Sequence, residues 1–178
     1  MVHHPTRVAA PLGLAQDVGM TMSLVVRRIL PDEVDRYREL RLRALRDSPA
    51  AFTATWDDES RMPLEAWAAR VDASVAGASV IVVADTGEEL IGLAGGIPWE
   101  GRARVVSVWV APAWRGRGLA RRLIESVCEW AGGAGYTEAQ IETALTNPGP
   151  QALYLQLGFV AVDEPPPPDC GTVLVRRL

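Results

Sequence analysis

An apolar stretch followed by a glycine-rich turn and a helix constrains the fold of this chain more than any other sequence feature. Residues 105–111 are rich in β-branched side chains and end at Pro112, which has no N–H to donate to a sheet. Two glycines follow within residues 115–120. Apolar side chains then recur at the helical period: Leu119, Leu123, Ile124, Val127, Trp130 and Ala131. The sequence therefore predicts a strand, a glycine turn and the N-terminus of a helix, in that order.

This turn has the properties of an anion-binding site. The first N–H groups of a helix have no partner within the helix and lie at the positive end of its dipole. Gly116 and Gly118 allow the backbone to approach a phosphate closely, and Arg115 and Arg117 add positive charge. We interpret the turn as the pyrophosphate site of a nucleotide-containing ligand. The alternative is a glycine pair that only caps the helix.

Two common nucleotide motifs do not match the turn. The dinucleotide pattern G-x-G-x-x-G requires a small residue where this chain has Arg121. The phosphate-binding loop G-x-x-x-x-G-K-[ST] requires a lysine, and all 18 basic residues of this sequence are arginine. The pattern that does match is R-x-x-G-x-A, formed by Arg115, Gly118 and Ala120 directly after the strand.

A second block strengthens this interpretation. It reads N-x-x-x-x-A-L-Y-x-x-L-G-F and contains Asn147, Tyr154 and Phe159. Together, the two blocks resemble the GNAT superfamily of acyl-CoA-dependent N-acyltransferases, in this order and over about residues 23–178. The resemblance implies an α/β (α+β) fold of three layers, with a mixed, mostly antiparallel central sheet and helices on both faces.

The pattern of apolar residues and breakers independently predicts the order β-α-α-β-β-β-α-β-α-β-β. Residues 1–21 show no periodicity, so we expect a disordered N-terminal tail, with residues 22–178 forming one N-acetyltransferase domain. Gly95 and Gly96 lie together in a predicted strand, which is typical of a β-bulge. The first predicted helix has arginines outside its apolar face, as a solvated surface would: Arg36, Arg38, Arg41, Arg43 and Arg46.

The resemblance also implies roles for individual residues in binding acetyl-CoA. The pyrophosphate of coenzyme A would lie on residues 115–120: Arg115, Gly116, Arg117, Gly118, Leu119 and Ala120. Backbone groups of Val108 and Val110 would bind the pantetheine arm, in a gap between the fourth and fifth strands, and the Val110 N–H would face the thioester oxygen. Asn147 would contact the cofactor or brace the parted strands.

Tyr154 would be the general acid that protonates the departing thiolate, by the same resemblance. A phenol with a pKa near ~10 is protonated at neutral pH, so the chemistry is plausible. The alternative is a half-buried tyrosine that only packs on the sheet.

The sequence says less about the acceptor. Residues 51–59 resemble the A-F-x-x-T-[YW]-x-x-E pattern of one GNAT subgroup, in which this loop lines the acceptor cleft. Phe52 and Trp56 would wall the acceptor pocket, with core packing as the alternative. The candidates for the base that deprotonates the amine are Glu59, Glu142, Asp58 and Glu100, and Glu59 ranks first. An acidic mouth formed by Asp57, Asp58 and Glu59 would favour a cationic amine.

We therefore predict an N-acetyltransferase that moves an acetyl or other short acyl group from acetyl-CoA to a primary amine of a small molecule or peptide. Transfer would be direct, within a ternary complex. The alternative is a non-catalytic acyl-CoA-binding sensor or regulatory module.

Composition limits the partners. The net charge of −4 disfavours nucleic acid, because phosphate contacts need a basic surface. Two histidines, both near the N-terminus, and two cysteines do not predict a metal site. No apolar run approaches the ~18 residues of a membrane span, and no signal peptide is evident, so we expect a cytoplasmic protein. We expect a monomer or a homodimer.

Overall fold

The computed structural model describes residues 24–144, 149–168 and 170–178. The strands are β1 (Val25–Arg28), β2 (Val80–Asp85), β3 (Leu90–Trp99), β4 (Arg102–Val110), β5 (Glu138–Ala144), β6 (Val160–Ala161) and β7 (Cys170–Arg177). The α-helices are α1 (Val34–Asp47), α2 (Trp56–Ser60), α3 (Leu64–Val75), α4 (Leu119–Gly133) and α5 (Gln151–Gln156). The expected N-terminal tail and Asn147 lie outside the described residues.

The described strands form one seven-stranded sheet in the order β1-β2-β3-β4-β5-β7-β6. Every neighbouring pair is antiparallel except β4 and β5, which are parallel. Parallel neighbours need a crossover connection, and α4 lies within it. This confirms the predicted mixed, mostly antiparallel sheet.

Helices cover the sheet on both faces, as predicted. On one face, α4 packs against the central strands through Leu123, Ile124 and Val127, which are fully buried. On the other face, α1 and α3 cover a second cluster that includes Leu40 and Trp67. Burial of these apolar side chains is the main favourable contribution to folding.

The glycine pair in β3 has a different role from the one predicted. The pairing register of β3 and β4 shifts between Leu93 and Gly95, and the extra residue belongs to β4, so Gly95 and Gly96 do not form a bulge. A Cβ at Gly96 would lie 2.7 Å from Val127 and 2.8 Å from Trp130. Gly96 is therefore needed for the close approach of α4 to the sheet.

The short helix α2 was not expected from the sequence. Thr55 caps it, because the hydroxyl of this residue accepts a hydrogen bond from the Asp58 N–H at 3.2 Å. Helix α2 has five residues, too few to show a clear helical period. Within the described ranges, no helix has the length and apolar character needed to cross a bilayer.

Candidate acyl-CoA site

β4 and β5 are hydrogen-bonded neighbours only near their beginnings. Ala103 pairs with Ala139 and Arg104 with Gln140, and no further pair joins the two strands in the described part of the chain. A cavity of about 470 Å³ lies where they separate, lined by residues of both strands and by Tyr154 of α5. The two strands therefore part in the way that the family resemblance implies.

A β-bulge in β4 borders this cavity. One residue of β3 faces two residues of β4, Ser107 and Val108, and both of these line the cavity. Ser107 has a φ of 59°, in the left-handed region that a serine seldom adopts. Residues held in this region cost about 1–3 kcal/mol and cluster at functional sites.

The main chain of Val110 faces the side of β4 that β5 leaves open. The Ala111 N–H donates to the C=O of Ile91 in β3 at 2.8 Å. In a trans peptide the C=O and N–H point in opposite directions, so the Val110 C=O points away from β3. The N–H and C=O of one strand residue lie on the same side, so the Val110 N–H points the same way.

The glycine turn leads into α4 as predicted. Gly116 and Gly118 have φ values of 75° and 74°, a conformation that glycine adopts without steric cost. The first helical hydrogen bond runs from the Arg122 N–H to the Gly118 C=O, so the preceding N–H groups have no acceptor within the helix. The first turn of α4 contains no acidic residue. It is an open, positively polarised helix N-terminus.

The Arg115 side chain was expected to add a free positive charge to the turn, but it is already bound by other groups. Its Nε donates to the Val110 C=O at 2.9 Å, and its guanidinium is paired with Asp47. Asp47 also accepts a hydrogen bond from Trp109 at 2.9 Å. The Arg115 side chain therefore links the glycine turn to the end of β4 and to α1. By contrast, Arg117 is exposed and stacks on the ring of Trp114 at 4.8 Å.

Tyr154 lies at the parted strands with only 6% of its surface exposed. Burial, and to a smaller extent the nearby charge of Glu142, raise the pKa of this phenol to about 12. None of the described residues accepts a hydrogen bond from its hydroxyl. The phenol is therefore a protonated donor, with its proton uncommitted, on the wall of the cavity.

Glu59 does not line the cavity that contains Tyr154. It is buried, and its two oxygens accept hydrogen bonds from Arg41 at 2.9 and 3.2 Å. Arg70 adds a third at 3.2 Å. Both oxygens of Glu59 are thus occupied by guanidinium groups, away from the cavity that contains Tyr154, so this geometry argues against Glu59 as the base.

The ion pair of Arg41 and Glu59 also contacts the bulge of β4. Arg41 donates from its remaining terminal nitrogen to the Ser107 hydroxyl at 3.2 Å. Arg41 is therefore not part of a solvated face, as its sequence position suggested; it is buried and connects Glu59 to β4. The buried ion pair thus supports the unusual conformation of Ser107.

Among the other candidate carboxylates, Glu142 lines the cavity with Tyr154. Its oxygens accept hydrogen bonds from Arg104 at 2.9 Å and from Gln140 at 2.6 Å. Asp58 is exposed and accepts a hydrogen bond from the Thr55 hydroxyl at 2.6 Å, and Glu100 is exposed in the turn between β3 and β4. Only Glu142 of these four carboxylates lies beside the proposed acid.

The two aromatic residues predicted to line the acceptor pocket lie in different places. Phe52 lines the cavity, with the Arg41 guanidinium 4.5 Å from its ring centre. Trp56 lies away from it, in a surface groove, with Arg46 stacked on its ring at 4.2 Å. Trp56 therefore does not share a cavity with Phe52 and Tyr154, because α2 turns this side chain toward the outer side of α1.

The described residues around the cavities do not form the acidic mouth that was predicted from Asp57, Asp58 and Glu59. Asp57 and Asp58 are exposed on α2 and line neither the cavity beside Tyr154 nor the one beside Arg70. Glu59 is neutralised by its arginine partners. A preference for cationic amines therefore has no support from this geometry.

Comparison with known proteins identifies the family of this chain. The family described as "Acetyltransferase (GNAT) family" matches residues 37–159, which include the strand, the glycine turn, α4 and Tyr154. The chain belongs to the GNAT acetyltransferase family. The matched range contains both sequence blocks from which the resemblance was inferred.

Among curated relatives of this GNAT chain, N-acetyltransferase 8B of Rattus norvegicus is 34% identical over 83 residues, which are 43% of this chain and 37% of the relative. N-acetyltransferase 8 of Rattus norvegicus is 31% identical over 88 residues, 46% of this chain and 40% of the relative. The chain thus matches well under half the length of these proteins.

Solved structures share the fold. The PaiA N-acetyltransferase of Thermoplasma acidophilum, determined with coenzyme A, has a TM-score of 0.72 at 14% identity, over 88% of this chain and all of the other. YncA of Salmonella typhimurium, determined with acetyl-CoA, has a TM-score of 0.70 at 17% identity, over 87% of this chain and 94% of the other.

The sequence missed three residues of this GNAT site: Arg41, Arg104 and Ser107. Arg41 lies four residues after Tyr37 and three before Ala44, both buried, so the helical period places it on the inner face of α1. That spacing was an available signal for Arg41. Nothing in the local sequence indicates the positive φ of Ser107.

Proposed function

We propose that this chain transfers an acetyl or other short acyl group from acetyl-CoA directly to a primary amine. One observation supports this more than any other. Tyr154 lines the cavity where β4 parts from β5, the main chain of Val110 faces the side of β4 that β5 leaves open, and the open N-terminus of α4 follows β4 in the chain. A linear thioester with an anionic end needs such a series of sites.

The N-terminus of α4 would bind the pyrophosphate. The N–H groups of residues 116–120 supply donors, and Arg117 supplies charge that no carboxylate neutralises in the described part of the chain. The backbone of Val108 and Val110 would bind the pantetheine amides in place of the missing strand partner. Asn147 would add a contact to the cofactor. That PaiA and YncA were determined with coenzyme A and acetyl-CoA supports this assignment.

In the transfer step, the amine lone pair forms the new C–N bond and the C–S bond of the thioester breaks. The Val110 N–H would donate to the thioester oxygen as it becomes negative, an interaction typically worth about 2.7–4 kcal/mol in the transition state. The Tyr154 hydroxyl would donate its proton to the leaving thiolate. The amine loses one proton to Glu142 or to water. Return of that proton to the Tyr154 phenolate restores the acid, so that the protons balance.

Binding of acetyl-CoA to the purified chain, measured by calorimetry, tests the first part of this proposal. We expect saturable binding that weakens at least about tenfold in Gly118→Val, because a branched side chain strains the turn and blocks close approach of a phosphate.

Gly77→Val is the matched control, since Gly77 also has a positive φ and an open Cβ position but lies after α3. It should leave the affinity unchanged. No binding to the native chain, or equal binding to Gly118→Val, would contradict the proposal. Release of coenzyme A in the presence of amines separates an enzyme from an acyl-CoA sensor.

A further inference from the structure

A second cavity lies against the bulge of β4, on the face of the sheet that α1 and α3 cover. It has a volume of about 430 Å³ and shares Arg41, Val106 and Ser107 with the cavity that contains Tyr154. A small molecule in this second cavity would therefore lie next to the point where the proposed thioester meets the bulge. Its volume is within the range of small-ligand sites.

The walls of the second cavity are mostly apolar. Ile81, Leu93, Ala94 and Ile97 of β2 and β3 form one side, and small alanine side chains of α3 face them. Such walls favour an apolar side chain and offer few partners for a chain of amines or hydroxyls.

The charged groups of this cavity are unbalanced. Among the described residues that line it, two guanidinium groups, Arg41 and Arg70, accompany one carboxylate, Glu59, which leaves one positive charge in excess. Glu59 already accepts from both arginines. The second terminal nitrogen of Arg70 donates to the sulfur of Met62 at 3.4 Å, and a thioether is a weak acceptor. Arg70 also interacts with the Tyr37 hydroxyl and with the ring of Trp67 at 4.9 Å, and neither of these groups supplies a carboxylate.

We propose that the acceptor is an α-amino acid with an apolar side chain. This inference rests on the proposed acetyl transfer. The amine lies at the bulge beside Ser107, the carboxylate compensates the excess charge of Arg41 and Arg70, and the side chain fills the apolar cavity. A polycationic amine would add positive charge to a cavity that already has an excess, and it is therefore disfavoured.

Three amines of matched shape test this inference: leucine, leucinamide and 3-methylbutylamine. They share the branched side chain, and only leucine has a carboxylate. Acetylated products are quantified by mass spectrometry, and binding to the chain in complex with coenzyme A is measured by calorimetry. Spermidine serves as the polycation.

The decisive variant is Arg70→Gln, which removes the excess charge and leaves the Arg41–Glu59 pair in place. We expect kcat/KM and affinity for leucine to fall at least about tenfold, the size typical of a lost hydrogen bond to a charged group. The values for 3-methylbutylamine should change by less than threefold. Since the amines differ in basicity, the native-to-variant ratio is compared for each amine, and intrinsic reactivity cancels.

Two further variants complete the test. Arg70→Lys keeps the charge and should retain most of the preference for leucine, whereas Arg61→Gln, at a largely exposed arginine outside both cavities, should have no effect. In the native chain, leucinamide or spermidine binding as tightly as leucine would overturn the inference. Carboxylate-dependent binding without any acetylated product would show that the cavity binds an α-amino acid as a ligand, but it would contradict the proposed transfer and therefore the role of that ligand as acceptor.

Discussion

Tyr154 shows how the surroundings of one residue set its chemistry. Burial and the charge of Glu142 raise the pKa of its phenol to about 12, so it keeps its proton throughout the physiological range. A donor of this kind stabilises a developing thiolate by a hydrogen bond and transfers its proton only as the C–S bond breaks.

Replacement of Tyr154 by Phe therefore tests a catalytic role. We expect kcat to fall by about 10²–10⁴-fold, the usual contribution of general acid catalysis, with little change in acetyl-CoA affinity. Steady-state kinetics and calorimetry measure the two quantities. Because the pKa is raised, ionisation of Tyr154 should cause no loss of activity as the pH rises from 7 to 10.

Tyr136→Phe is the control, because Tyr136 packs against Trp130 and does not line the cavity. An unchanged kcat in Tyr154→Phe would remove this residue from the mechanism and leave its packing against Phe159 as its role.

Among the elements, the contact between α4 and β3 holds the proposed pyrophosphate site against the sheet. Gly96 allows this contact, since its missing side chain leaves room for Val127 and Trp130 of α4 and for Val80 of β2. Three separate side chains would have to move to make room for one methyl group.

Gly96→Ala should therefore lower the free energy of unfolding by about 1–3 kcal/mol, the usual cost of overpacking a core. Urea denaturation followed by fluorescence measures this change. The control is Gly132→Ala near the end of α4, where a Cβ meets no atom and helix propensity favours alanine by about 0.5–1 kcal/mol. A Gly96→Ala variant as stable as the native chain would show that α4 does not depend on this close contact.

At the scale of the whole molecule, a network of charges joins the first strand, the first helix and the end of β2. Arg27 and Arg36 both contact Glu33 and Asp85. The hydrogen bond from Arg27 lowers the pKa of Glu33 despite partial burial. Burial would raise the pKa of Asp85, but the Gly87 N–H and the two arginines outweigh it and lower the pKa.

These lowered pKa values predict the pH dependence of stability. A carboxyl group with a folded-state pKa below its unfolded value stabilises the protein above the unfolded pKa, near ~4, and loses this effect as the pH falls through the folded pKa. Thermal or urea unfolding from pH 7 to pH 3 should therefore show a progressive loss of stability below about pH 4.5.

Glu33→Gln should be less stable than the native chain by roughly 1–3 kcal/mol at pH 7, and the two should converge toward pH 3. Asp57→Asn, at an exposed residue 3.9 Å from its arginine, should follow the native curve. A constant difference between Glu33→Gln and the native chain at all pH values would contradict this account of the network.

The amino-acid sequence alone was sufficient to predict the structural units that neighbouring residues form. The strand, the glycine turn and α4 could be predicted, as could the position of Tyr154 in a short helix, because periodicity, breakers and positive φ at glycine are properties of neighbouring residues. Both motifs lie within these local units, and they were sufficient to indicate the GNAT family. In contrast, the short helix α2 gave no periodic signal.

In contrast, the tertiary structure determines which charged side chains are paired with one another and which lie beside Tyr154. Arg41 meets Ser107 from 66 positions away in the chain, and Arg115 meets Asp47 from 68 positions away. The second contact holds the Arg115 guanidinium, and the buried partner of Arg41 is Glu59. Glu142 lies beside Tyr154 because β5 and α5 both line the same cavity. Carboxylates and guanidinium groups take their roles from the partners that folding brings to them, and no local pattern specifies partners so far apart in the chain.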